Sequence, residues 1–437
     1  MNALLLERGR LLDPARALDL EEGSLLLVDG LVAFAGPAAE ADARARALAR
    51  PPERFDARGR WIVPGLVDMH VHLREPGNEA EETIASGVAA AVAGGFTSVV
   101  CMPNTSPALD DESSMIFVRR EAARAGLANV FPVGAVSSGR EGKELAEMAQ
   151  MKRGGAVAFS DDGTAVPAAG LLRQALSYAR MLGLPILEHC EDPSLAGSGQ
   201  MNEGPTATAL GLPGIPAEAE EIIIARDILL ARLTGARVHL QHVSTGGGAN
   251  LLRMAKQAGV PVTAEVTPHH LTLTDECVRG YDPVFKVNPP LRAKADNLAL
   301  LEALRDGTLD AIATDHAPHQ PEEKEGEFAT APCGMLGLET AVGVLLTELY
   351  HPGGLSAPRL IEALTAAPSG ILNLGRGTLA EGVPGDATVI DPERVWTVDA
   401  GHFRSKSRNC PYRGRTLRGR AVLTVVNGRV VYRCDNP

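Results

Sequence analysis

The chain has 437 residues, enough for two or three domains or for one large α/β barrel with additions. Its 54 acidic against 42 basic side chains leave a net charge of -12, which argues against a protein built to neutralise nucleic-acid phosphates or to lie on an anionic membrane. An apolar fraction of 45% with 22% charged residues excludes wholesale disorder, and a small-molecule enzyme fits best.

Residues 1 to 56 read as short strands and turns, such as Ser24-Leu25-Leu26-Leu27-Val28-Asp29-Gly30. The apolar run at 3–6 stops at Glu7 and Arg8, too short for a signal-peptide core. The uncharged stretch 83–109 is long enough to test as a membrane span, but Gly94-Gly95 in its middle and Pro103-Asn104 near its end divide it. It reads as a packed helix, a turn and a buried strand. Eight strands are predicted, at 66–73, 97–102, 130–135, 156–160, 185–189, 237–243, 262–267 and 311–315. Helical periodicity fills most of the gaps between them, as at 217–233 and 297–304. Eight βα units predict an α/β chain closed into a (β/α)8 TIM-type barrel.

The last sixty or so residues return to the style of the first. Thr388-Val389-Ile390-Asp391 is a short apolar strand, and Val426-Asn427-Gly428-Arg429-Val430 places Asn-Gly between apolar runs, a strong hairpin signal. The expected organisation is a small β-sandwich-like domain formed by both chain ends, 1–56 and 375–437, around a barrel at 57–374. The cysteines at 101, 190, 277, 333, 410 and 434 show no paired spacing, which suits a reducing cytoplasm.

The chemistry lies where the polar residues fall. Six of the eight predicted strands are apolar and then end in groups that bind metals or protons: Asp68-Met69-His70-Val71-His72, Met102-Pro103-Asn104, Ser160-Asp161-Asp162, Glu188-His189, Gln241-His242 and Thr314-Asp315-His316. All strand C-termini of such a barrel open on one face, so these side chains converge. His70 and His72 lie two apart on a strand and point the same way, as two ligands of one metal must. Alone, such a pair is more often satisfied by backbone. With His189, His242, Asp162 and Asp315 at neighbouring strand ends, that bland reading would crowd unpaired imidazoles and carboxylates together, which is costly. Imidazole and carboxylate without thiolate suit zinc, with manganese or cobalt as alternatives.

The signature Asp68-Met69-His70-Val71-His72-Leu73-Arg74-Glu75-Pro76-Gly77, with Met102-Pro103-Asn104-Thr105 and Thr314-Asp315-His316-Ala317-Pro318-His319, resembles the amidohydrolases and, within them, the dihydroorotases, over nearly the whole chain. The resemblance implies two zinc ions per chain, with His70, His72 and Asp315 on the first, His189 and His242 on the second, and Asp162 bridging. Many relatives bridge with a carboxylated lysine on the fourth strand. Here the strand reads Phe159-Ser160-Asp161-Asp162-Gly163, and Lys152 lies before it, a pattern that resembles the longer bacterial class and disfavours allantoinases and hydantoinases. The adjacent Asp161 reads as a helix or turn cap.

The same resemblance assigns Arg74 to the substrate carboxylate, a group well matched by a planar guanidinium, with His72, Asn104 and His319 beside it. Asn288 matches a position that touches the ring. Cys333 and Gly334 match a segment that contacts substrate through its backbone, where relatives usually carry an aromatic before the glycine. The implied reaction is reversible closure of N-carbamoyl-L-aspartate to L-dihydroorotate in pyrimidine (UMP) synthesis, with hydroxide supplied by the metals as nucleophile and Asp315 as general acid and base. A homo-oligomer and association with aspartate transcarbamoylase are implied partners. Inactive scaffold relatives lose metal histidines, which this chain keeps. His269 and His270 read as supporting or packing residues and His239 as core. The charged, glycine-containing segment 317–331 is expected to be a mobile loop beside the site.

Overall fold

The structure, a computed structural model, describes residues 2–434. The eight predicted strands all form, each ending short of its expected limit and β2 and β3 beginning one residue early: β1 Leu66–Val71, β2 Phe96–Cys101, β3 Asn129–Gly134, β4 Ala158–Phe159, β5 Ile186–Glu188, β6 Val238–Leu240, β7 Val262–Val266 and β8 Ala311–Ile312. They pair in chain order and in parallel, for example Ile186 opposite Val238 and Val238 opposite Val262. Closure comes beyond the regular pairing. Val71 bridges His316, His72 N–H donates to His316 O at 2.9 Å, and the Asp68 carboxylate accepts from Thr314 N and Oγ1 at 3.1 and 2.5 Å. The uncharged stretch becomes the helix Ile84–Gly94 followed by β2, both buried. No helix among the described residues is long and apolar enough to cross a membrane.

Strand periodicity sets what faces where. Met69, Val100, Val133, Ala158, Leu187 and Ala311, one from each of six strands, cluster together and fill the barrel interior. Val99, Phe159, Ile186, Leu240 and Ile312 face outward into the larger core under the helices. Side chains two residues further along a strand share a face, so Leu187 leads to His189, Ala158 to Ser160 and Asp162, and Ala311 to Ala313 and Asp315. Interior positions that are apolar at the base thus become polar at the mouth.

Both chain ends join one eight-stranded sheet. Trp61–Pro64 runs parallel to Ala3–Asp13 and antiparallel to Ala387–Thr397, so the two termini are interleaved. Leu4, Leu6, Leu25 and Leu27 pack on one face with Ala387, Val389, Leu423 and Val425. Leu5, Leu26 and Phe34 pack on the other against Ala41 and Ala45 of the helix Ala38–Arg46. The Asn427-Gly428 hairpin forms between Thr416–Val426 and Arg429–Arg433, with both turn residues at positive φ (49° and 73°) as such a turn requires. One segment leaves the sheet: residues 398–414 run back over the barrel, where Val398, Cys410 and Tyr412 pack with Leu273, Val287 and Met335.

Candidate metal centre and substrate pocket

At the mouth of the barrel His70, His72, Asp162, His189, His242 and Asp315 meet, all almost completely buried. Asp162 is the common member. Its Oδ1 lies 3.3 Å from His70 Nε2, 4.0 Å from His189 Nδ1 and 3.9 Å from His242 Nε2, and its Oδ2 lies 3.7 Å from His72 Nε2. Asp315 Oδ1 lies 2.9 Å from His72 Nε2 and 3.6 Å from His70 Nε2. Two donor sets close enough to hold a cation, His70–His72–Asp162 and Asp162–His189–His242, share the aspartate. Burial opposes charge on Asp162, but the facing His70, His72 and His189 hold its carboxyl well below the usual range. Burial, with His189 and His70 beside it, holds His242 well below the usual imidazole value, leaving a neutral ring with a free lone pair.

The histidines are aimed from behind. His70 Nδ1–H donates to Glu265 Oε1 at 2.7 Å, and His72 Nδ1–H donates to Asn104 Oδ1 at 2.9 Å. These bonds keep a proton on Nδ1 and turn each Nε2 toward the carboxylates, the orientation typical of metal-binding imidazoles. His70 Nε2 and Asp162 Oδ1 stand 3.3 Å apart, both buried and neither in a well-formed hydrogen bond. Burial opposes a charge on His70, but the carboxylates of Asp162, Asp315 and Glu265 hold its pKa well above the usual imidazole value, and a divalent cation would take the place of that proton between ring and carboxylates. The residues present therefore fit a metal. Glu265 in turn accepts from His239 Nε2 at 3.2 Å, whose Nδ1 meets Thr263 Oγ1 at 2.9 Å. Burial works against the Glu265 charge, but His70 and His239 bring its carboxyl down to about 2.

Two backbone irregularities complete the cluster. His242 and Asp315 both sit at positive φ, 33° and 49°, a strained region for residues other than glycine. At β6 this turns His242 inward beside Gln241, whose Oε1 accepts from Ser160 Oγ at 3.1 Å. Asp161 binds no part of the cluster. Its carboxylate accepts from Val136 N, Ser137 N and Ser137 Oγ at 2.9, 3.0 and 2.5 Å, pinning the turn after β3. His270 is held by Thr267 Oγ1 and Pro289 O, with its ring against His269.

Above the cluster lies a cavity of about 220 Å³ lined by His72, Arg74, Asn104, Asp315 and, on the facing side, Asn288, His319, Cys333 and Gly334. Arg74 is buried with φ 61°. Its Nε donates to Pro318 O at 3.1 Å and lies 2.9 Å from Glu81 Oε2, while Nη2 lies 3.4 Å from His319 Nε2. Burial lowers its pKa and the Glu81 charge counteracts this. The Arg-Glu-Pro-Gly run depends on its glycine: Gly77 has φ 105°, and a Cβ there would stand 2.0 Å from Ser106 O. His319 Nε2–H donates to Cys333 O at 2.8 Å. Burial and then the Arg74 charge push this ring down to about 3. Cys333 contributes backbone to the pocket, and its side chain is exposed.

Segment 317–331 lies beside the pocket, as expected, but anchors hold it. Phe328 is buried, and Lys324 Nζ donates to Pro283 O and Pro332 O at 3.1 and 2.6 Å. The excursion 398–414 adds a further tie, unforeseen in the sequence. Asn409 Nδ2 donates to Ala317 O and Gly334 O at 2.9 and 3.2 Å, and its Oδ1 accepts from His319 N at 3.3 Å. Glu265 was also missed. The available signal was a glutamate inside an apolar strand, which must find a partner if buried.

A family profile described as Dihydro-orotase-like matches residues 59–247. The chain is 53% identical over 428 residues to a dihydroorotase from Pelotomaculum thermopropionicum, with 98% of each covered, and 51% identical over 436 residues to one from Anaeromyxobacter dehalogenans, with 99% of each covered. Among solved structures it is similar to an L-hydantoinase (dihydropyrimidinase) from Arthrobacter aurescens, with TM-score 0.86 and 27% identity over 99% of this chain and 96% of that one. A dihydropyrimidinase from Brevibacillus agri shares the fold at TM-score 0.84 and 21% identity, over 99% of this chain and 95% of that one. Identity near one half along almost the entire length of both partners carries further than a shared barrel does, and the chain belongs to the dihydroorotase family.

Proposed function

We infer that this enzyme reversibly closes N-carbamoyl-L-aspartate to L-dihydroorotate and water, the ring-forming step of pyrimidine synthesis. The observation that carries the reading is the pair of donor sets sharing Asp162 at the floor of a pocket whose wall holds the buried Arg74. Nitrogen and oxygen donors without thiolate favour zinc, two ions per chain, with Asp162 between them and with manganese or cobalt as substitutes. Bound there, such ions would ionise water near neutral pH and polarise the amide carbonyl.

The side chains supply the rest. Arg74, with Asn104 and His319, receives the ring carboxylate through its free guanidinium edge. Asn288 and the backbone of Cys333 and Gly334 hold the opposite side of the ring, against His72. Asp315 takes the proton from the attacking water and delivers it to the ring nitrogen as the amide bond breaks, and ring closure runs these transfers backwards. Arg74→Met is expected to raise the dihydroorotate KM by roughly tenfold or more while metal content stays at the wild-type level. Metal loss with unchanged KM would show that the assigned role is wrong. A substrate panel of dihydroorotate, dihydrouracil and hydantoin tests the reading itself, with turnover of dihydroorotate alone as the expected result.

A second expectation concerns pH. N-carbamoyl-aspartate carries two ionised carboxylates at neutral pH and dihydroorotate one, so closure takes up a proton and is driven by acid. The ratio of kcat/KM for closure to that for opening must follow this equilibrium and fall about tenfold per pH unit across roughly pH 6 to 8. Closure should slow and opening quicken over that range. Initial rates measured in both directions check it, and parallel profiles would refute the reaction.

Self-association, association with an aspartate transcarbamoylase and a cytoplasmic location belong to the same reading. Support for a docking face comes from Leu229 and Leu233 on the helix Glu218–Thr234 and Met254 on Gly246–Gln257, three apolar side chains exposed on neighbouring helices. Support for the location comes from the six free cysteines.

A further inference from the structure

The loop after β1 holds a carboxylate that none of these roles uses. Glu81 is only 8% exposed. Its Oε2 lies 2.9 Å from Arg74 Nε and 3.6 Å from His319 Nδ1, and Glu323 Oε2 approaches the same ring nitrogen to 3.4 Å. Because His319 Nε2–H donates to Cys333 O, Nδ1 carries a lone pair. It is buried without a hydrogen-bond partner, as is Glu81 Oε2. Glu323 Oε2 accepts from Gln320 N at 2.8 Å, so Glu81 Oε2 and His319 Nδ1 are the two acceptors left beside one donor, the Arg74 guanidinium.

Glu81, His319 and Glu323 are close enough to hold a cation. The guanidinium already supplies positive charge at 2.9 Å from the Glu81 oxygen, and a divalent ion on that oxygen would be repelled by it at short range in a poorly solvated pocket. A second role agrees better with the distances. Arg74 presents five N–H groups in a rigid fork. Its Nε is engaged by Pro318 O and faced by Glu81, so the guanidinium is held by its inner edge. The two Nη groups then remain for a carboxylate, which binds best through two parallel N–H bonds.

We propose that Glu81 is a positioning residue that fixes the Arg74 guanidinium by its Nε edge and so keeps the Nη edge turned toward the ring carboxylate of the substrate. The proposal rests on the reading of Arg74 as the carboxylate receptor. In the free enzyme Glu81 also balances a buried charge that would otherwise stand alone, since an unpaired guanidinium is costly away from water.

The test is a double-mutant cycle on the metal-loaded enzyme. Glu81→Ala, Glu81→Gln and Glu81→Asp are made alone and with Arg74→Met, and kcat, KM for dihydroorotate and metal content are measured for each. Glu81→Ala is expected to raise KM about tenfold with kcat within roughly threefold of wild type, and Glu81→Asp to recover part of the loss. In the Arg74→Met background Glu81→Ala should have no further effect, because the carboxylate acts through the guanidinium. Glu81→Gln keeps the shape should the alanine variant fail to fold, and is expected to raise KM in the same direction. Unchanged KM in Glu81→Gln, or an equal loss with and without Arg74, would overturn the proposal, as would the loss of a metal equivalent in any Glu81 variant. Wild-type enzyme inert toward dihydroorotate would overturn the functional reading first, before any variant is compared.

Discussion

Asp315→Ala should depress ring closure and ring opening together, by about 10²- to 10⁴-fold in kcat, the range expected when a positioned proton carrier is lost. The carboxylate is placed with care. It follows β8 at φ 49°, after Thr314 has been tied to the Asp68 carboxylate of β1 through both its N–H and its hydroxyl. That tie is part of barrel closure, so Asp315 and the histidine strand are fixed to each other by the same bonds. Oδ1 lies 2.9 Å from His72 Nε2, so Asp315 also belongs to the donor cluster, and the measurement has to be normalised to metal content. A loss in one direction alone, or an active variant with full metal content, would refute the proton-transfer role.

Removing the metal should have the other large effect. Chelation is expected to abolish turnover, and zinc to restore it at about two equivalents per chain. The reason lies in the donor set: His70 Nε2 and Asp162 Oδ1 face each other at 3.3 Å, both buried and neither in a well-formed hydrogen bond, and a cation between them would bond to both. His189→Ala should lower occupancy on its own side of Asp162 while leaving the His70–His72 side able to bind. Elemental analysis with activity titrated against added zinc reads both. Full activity in a chelated, metal-free sample would sink the proposal.

The distance over which a signal acts decides how legible each part of this protein is. The eight barrel strands, the helix Ile84–Gly94 and the Asn427-Gly428 hairpin are set by residues within a few positions of one another: apolar runs, Gly94-Gly95, and a dipeptide suited to positive φ. The polar strand ends were readable for the same reason. A period of two carries an apolar interior position to a polar one at the mouth, so the convergence of Asp162, His189 and Asp315 follows once the strands are known. His70 and His72 share a face with each other but fall out of step with the interior Met69, because the register of β1 shifts between Asp68 and Val71.

His242 does not follow from that period, because Gln241 holds the interior position and His242 reaches the cluster only through its positive φ. Glu265 meets His70 across 195 residues of sequence, and Asn409 reaches Ala317, His319 and Gly334 from segment 398–414, which lies within the range expected to form the small β domain. Glu81 lies only seven residues from Arg74, yet its use depends on a left-handed Arg74 backbone and on His319 arriving from the other end of the barrel. By itself the sequence determined the elements and the donor types, because periodicity and turn chemistry are local. Only the closed barrel decided which buried charge pairs with which, because a carboxylate taken out of water must be matched by whatever partner the tertiary packing brings within hydrogen-bond reach.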